Sequence, residues 1–169
     1  MGWFDRLLGR ERDELALALY DGVIATARAP HWYTTGGVPD TLDGRFDMVA
    51  AILSLVLLRL EGDASAGAAS ARLTERFVTD MDGQLRESGI GDIGVGKHIG
   101  KMMGMLGGRL GAYCDGLASG DLSTALVRNL YRGVMPDAVA LAHSQRALLA
   151  LRDALGATPA AALIDGRMP

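Results

Sequence analysis

Apolar residues in this chain recur at intervals of three and four from one end to the other. Leu15, Leu19, Val23 and Ala27 share one face, with Ile24 beside them. Leu42, Phe46, Val49, Leu53 and Leu57 repeat the spacing, and so do Leu73, Phe77, Met81 and Leu85. This is the period of an α-helix with one buried side. No stretch alternates apolar and polar residues over the length a strand needs, so the chain reads as all-α. At 169 residues it is long enough for one domain and short for two. Aromatics make up 5% of it, so the core between helices must be mostly Leu, Ala, Val, Ile and Met.

About six helices follow from the breaks in this pattern. The first covers residues 12–28 and ends before Pro30, which disfavours helical geometry at Ala29. The loop HWYTTGGVPDT comes next. Asp40 or Thr41 can cap a second helix running to about Leu60, with capping-box spacing from Asp40 to Asp43. The small, polar stretch EGDASAGAAS leads to a third helix, stopped by Gly89 and Gly91. A fourth runs from about Gly94 to Leu117 on Val95, Ile99, Met102, Met103, Leu106, Leu110 and Tyr113. A fifth starts near Asp121 with Leu122, Leu126 and Leu130 inward. Pro136 suits the first turn of a sixth, which carries Val139, His143, Leu148, Leu149 and Leu155. The expected organisation is an amphipathic segment over residues 1–12, a helical domain over 13–156 and a loose, alanine-rich tail over 157–169.

The stretch GIGDIGVGKHIG, residues 89–100, imitates a phosphate loop. Gly89, Gly91 and Gly94 fit G-x-G-x-x-G, and Gly91, Gly96 and Lys97 fit most of G-x-x-x-x-G-K-[ST]. His98 stands where the magnesium-binding hydroxyl belongs. Such loops also need a strand in front of them, and the preceding MDGQLRESG is helical in pattern. A helix–turn–helix corner is the better reading, with Gly89 ending one helix and Asp92 capping the next. Lys97, His98 and Lys101 then fall in the first turns of a helix, where the dipole disfavours cations. They call for an acidic neighbour such as Asp80, Asp82, Glu87 or an external partner.

The rest of the chemistry is thin. A net charge of −3 argues against bulk nucleic-acid binding. The longest apolar run, Met48 to Leu58, is about half of the ~20 residues a membrane span needs. Cys114 sits in an apolar helix and reads as a buried thiol rather than a nucleophile paired with His31, His98 or His143. His and Cys spacings match no metal motif, and no cofactor is expected. Asp40, Asp43 and Asp47 cluster with Arg45 in PDTLDGRFD, which reads as helix capping with an Arg–Asp pair. Arg86, Glu87 and Arg109 offer a charged network between the third and fourth helices. Near the start, Trp3, Phe4, Leu7 and Leu8 fall on one helical side among Arg6, Arg10 and Arg12. That side needs a cover: a membrane interface, the domain itself or a second copy.

Together the runs LYDGVIATARAPHWYTTGGVPDTLDGRFDM, FVTDMDGQLRESGIGDIGVGKHIGKMMGMLGGRLGAYCDGL and ALVRNLY resemble the ubiquinol–cytochrome c chaperone family. The motifs GVPDTxDGRF, DMDxxLRE and GxGD before a basic helix carry the likeness, which covers residues 15 to about 132. The resemblance implies a non-enzymatic assembly chaperone for cytochrome b of the bc1 complex. It would bind newly made cytochrome b, or a small partner helix, near the ribosome and the inner membrane. The positions that carry over for partner binding are Pro39, Asp40, Asp43, Arg45, Asp80, Asp82, Arg86, Glu87, Asp92, Lys97 and Arg109, with Lys101 beside them. Without the long leader of mitochondrial members, a cytoplasmic bacterial protein is expected, with self-association as a substitute for the small partner. Two other readings compete with this one. The first is a peripheral membrane adaptor working through Trp3 and Phe4. The second is an all-α enzyme acting on an isoprenoid or quinone-like substrate through the aspartates, although these form no D-D-x-x-D array.

Overall fold

The computed structural model describes residues 17–87 and 95–169, without the side chains of 85–87, 95–99, 101 and 102. All of its regular structure is helical. Helix α1 covers 17–27 and is followed by a short α2, His31–Thr34. Next come α3, Leu42–Glu61; a 3₁₀ turn, Ala64–Ala66; and α4, Gly67–Glu87. Helix α5 spans Val95–Ser119, α6 Ser123–Asn129, α7 Ala138–Ala157 and α8 Ala160–Ile164. The two short helices, α2 and α8, lie in stretches that sequence periodicity assigned to a loop and a loose tail.

Helix α3 is the axis of the molecule and packs against α4, α5 and α7. Residues 47–57 are buried without a break, which explains an apolar run too continuous to show one face. A helix that is apolar all round belongs in a core. Ser54, buried in the run, donates its hydroxyl to the Ala50 carbonyl at 2.7 Å. Thr41, one of the two expected caps, accepts from Gly44 N at 3.1 Å. Gly44 also answers to a close approach, because a Cβ there would meet the Pro39 carbonyl oxygen at 2.0 Å. Leu42 was expected to face inward but is 56% exposed, since the helix begins at the surface and only then dives.

Helix α4 buries Leu73, Phe77 and Met81, as the spacing required. Helix α5 buries Leu106 and Tyr113 but leaves Met103 exposed, against expectation. Cys114 is exposed, so it is not the buried thiol that its apolar setting implied. Leu122, Leu126 and Leu130 are all buried. Helix α7 is capped by Asp137, which accepts from Val139 N at 2.8 Å. Pro136 therefore precedes the helix, and Val139 points out at 68% exposure instead of inward. Arg59 Nε and Nη2 donate to the carbonyls of Leu155 and Thr158 at 3.0 and 2.9 Å, holding the C-terminal end of α7 where a cation is favoured.

The alanine-rich tail is packed. Leu163 is fully buried in α8. Gly166, with φ of 82°, lets the chain turn against Ala18, and Met168 then lies over Gly22. The last residues thereby close over α1.

Candidate functional site

The start of α3 gathers the charges that the sequence singled out. Successive turns of a helix carry Asp43 and Asp47 on one side, four residues apart. Asp40 and Arg45 form an exposed pair at 2.6 Å. Arg45 holds the Asp40 carboxyl below the usual carboxylate range. One turn further in, Asp47 is fully buried and accepts from two arginines. Arg109 Nη2 of α5 and Arg132 Nε, just past α6, each approach one of its oxygens at 2.5 Å. Arg132 Nη1 also reaches Asp43 at 2.7 Å.

Burial pushes the Asp47 carboxyl up, against the downward pull of Arg132 and Arg109. With a guanidinium on each oxygen, Asp47 is an anion at neutral pH. The Arg109 guanidinium carbon lies 5.3 Å from the centroid of the Phe46 ring, a cation–π distance. Phe46 in turn lies 5.8 Å from Phe77. Arg132 has φ of 54°, in the left-handed region that a side chain seldom adopts. Its two ion pairs hold it there.

Beside this clamp, Tyr131 Oη donates to the Gly36 carbonyl at 2.6 Å and lies 2.8 Å from Ser144 Oγ, with all three groups buried. Nearby on α2 and α7, His31 Nδ1 and His143 Nε2 meet at 2.9 Å. These contacts join the 29–41 loop to α6 and α7. Large apolar side chains next to the clamp in sequence are exposed: Leu42 before Asp43, Val134 and Met135 after Arg132, and Val139 at the start of α7, at 56, 71, 69 and 68%. Pro39 is exposed beside them. The result is a face of projecting apolar side chains around a fixed ion-pair cluster. Such a face suits protein contact, because its arginines are already neutralised and its apolar groups lack cover.

The sequence-derived residues divide into three groups. Pro39, Asp40, Asp43 and Arg45 come together on this face. Arg109 joins the same cluster through Asp47 of α3, and the side chains of Arg86 and Glu87, the other members of its expected network, lie outside the described residues. Asp80 stands apart on α4, accepting from Tyr20 Oη at 2.8 Å and from Gln84 Nε2 at 3.3 Å. Burial first, then Asp80, pushes the Tyr20 hydroxyl well above its ordinary value. Asp82 is half-buried on the same helix. Trp3, Phe4, Leu7, Leu8 and Asp92, and the side chains of Arg86, Glu87, Lys97 and Lys101, lie outside the described residues.

Arg132 is the partner that sequence reasoning missed. Its one signal was the Arg-Gly step in LYRGVMP, a turn with a cation inside it. The segment ahead of the glycine stretch is helical, as expected, which keeps the phosphate-loop reading excluded. Among the described residues no three His, Cys, Asp or Glu side chains are placed to hold a metal. Among them, too, no helix is long and apolar enough to cross a membrane.

Comparison with known proteins agrees with the motifs. The sequence profile described as ubiquinol-cytochrome C chaperone matches residues 34–168. The crystal structure of the Cbp3 homolog from Brucella abortus is similar at a TM-score of 0.86 and 32% identity, covering 98% of this chain and 93% of that one. No curated protein sequence matches the chain.

Proposed function

The chain belongs to the ubiquinol–cytochrome c chaperone family, and on that premise we propose that it is a non-enzymatic assembly chaperone for cytochrome b of the bc1 complex. It holds newly made cytochrome b, or a partner helix, while the complex is built. It works in the cytoplasm, at the inner-membrane surface. The family match over residues 34–168 carries this reading, because it spans the whole clamp and the face around it.

The contact face is the one built by Pro39, Leu42, Asp43, Arg132, Val134 and Met135. Its support is physical. The apolar side chains project from a base held by Asp47, Arg109 and Arg132, so the face is pre-organised for an apolar segment. Its carboxylates and guanidiniums are spent on each other, which favours binding over catalysis.

Deleting the gene lowers mature cytochrome b and leaves the other respiratory complexes intact. Normal bc1 levels in the deletion strain overturn the assignment. Val134→Asp and Met135→Asp, both at exposed positions, test the face. They reduce crosslinking to ribosomes translating cytochrome b and leave Tm unchanged. Undiminished crosslinking moves the contact elsewhere.

A further inference from the structure

The ion-pair cluster leaves two of its buried polar atoms without a bond. Arg109 spends Nη2 on Asp47, and its guanidinium lies over the Phe46 ring. Its Nε is buried and meets no hydrogen-bond partner among the described residues. The same is true of Tyr113 Oη, on a side chain that is fully buried. A buried polar group without a partner has given up its bond to water and gained nothing in exchange, so native folds keep few of them.

The two orphaned atoms are neighbours by construction. Arg109 and Tyr113 stand four residues apart on α5, on the side of the helix that also buries Leu106. Side chains at this spacing leave the helix about 5–6 Å from each other. Burial pushes the Tyr113 hydroxyl above its ordinary pKa, and the groups that further act on it are Arg109, Asp47 and Tyr131. The hydroxyl therefore lies within reach of the cluster's charges. One turn along α3 from Asp47 stand Ala50 and Ala51, both buried and both short.

A hydrogen bond spans about 2.8–3.0 Å, so one water bridges polar atoms roughly 5 Å apart. A buried water also needs several polar partners. Two are the orphaned atoms, and Asp47 supplies the third. A carboxylate offers about four lone pairs, and Arg109 and Arg132 take one on each oxygen of Asp47. A side chain of a bound partner cannot serve instead, since both orphaned atoms are sealed from solvent.

We infer that one ordered water is bound in the core between Arg109 Nε and Tyr113 Oη. It accepts from both and donates to Asp47. Asp47 then has three donors, and α5 is tied to α3 by two routes instead of one. The site lies in the base of the clamp and is the same whichever client the face takes.

Tyr113→Phe in the full chain tests this, because it removes the hydroxyl and keeps the ring. If the hydroxyl holds a water, its loss weakens the bridge, and the urea midpoint falls with an unchanged slope. If the hydroxyl is unbonded, its removal relieves the core. A midpoint that holds or rises therefore overturns the proposal. The second measurement is a crystal structure of the unaltered protein, at a resolution that shows ordered water. One density peak within hydrogen-bond distance of both Nε and Oη is expected. A direct bond between these two atoms, or no density between them, overturns the bound water even where the midpoint falls.

Discussion

Asp40 and Asp47 stand seven residues apart, and each bonds arginine at about the same distance. They differ in depth. The side chains of Asp40 and Arg45 are 59 and 60% exposed, so water competes for both. Asp47 is sealed, and Arg109 beside it is 11% exposed. Desolvation makes the inner cluster expensive to assemble and far more expensive to break. The outer pair is screened and nearly free to come apart. One motif, PDTLDGRFD, therefore contains a surface decoration and the tie between three helical regions.

The contrast is sharpest if either partner of the inner cluster is lost. Asp47→Ala strands Arg109 in the core and costs about 3–5 kcal/mol, read as a fall of roughly 10 °C in Tm. Replacing Arg109 by Met in the same chain recovers part of that loss, because no buried cation is then left unpaired. A second loss equal to the first breaks this account. Between the two pairs lies Gly44, and Gly44→Ala forces its Cβ onto the Pro39 carbonyl. The expected destabilisation is about 1–3 kcal/mol in a urea titration, with an unchanged slope.

The His31–His143 contact is a third kind of tie, which needs a neutral ring to accept the proton of the other. Burial, then His143, lowers the His31 pKa below its ordinary 6.5. A histidine shifted down adds stability above 6.5 that is lost as pH falls through its folded value. Tm is therefore lower at pH 5 than at pH 7, and His31→Gln flattens that slope. An unchanged slope in the variant removes the contact from the acid response. The smallest effect belongs to the outer pair. Asp40→Ala leaves Tm within error at any salt concentration, and a clear loss would erase the distinction drawn between the two depths.

Much of the fold was legible in spacing. Leu73, Phe77, Met81, Leu122, Leu126 and Leu130 face inward because a 3.6-residue period leaves them no other side. Two of the failures share one cause. Leu42 and Val139 occupy apolar positions of the right period in the first turns of their helices, where the axis has not yet entered the core. Periodicity marks a face and says nothing of depth along the axis. The site was half legible. PDTLDGRFD announced its carboxylates, and a local pair such as Asp40–Arg45 follows from short range alone. The partners of Asp47 come from α5 and from a left-handed residue beyond α6, and no local pattern encodes contacts across that much chain. Trp32, buried and donating Nε1 to the Thr26 carbonyl at 2.8 Å, likewise turned an apparent loop into the plug after α1.

The return of the tail to α1 has a consequence for the speed of folding. Leu19 and Val23 lie in the first described helix, yet α1 is capped by Gly166 and Met168, almost the whole chain later. The side of α1 that carries Ala18 and Gly22 therefore gains its cover only from residues 166–168. Joining residues so far apart in sequence carries a large loop-closure cost, of the kind that slows folding. Cutting the chain after α7 would leave a molecule whose beginning is unfinished because its end is missing.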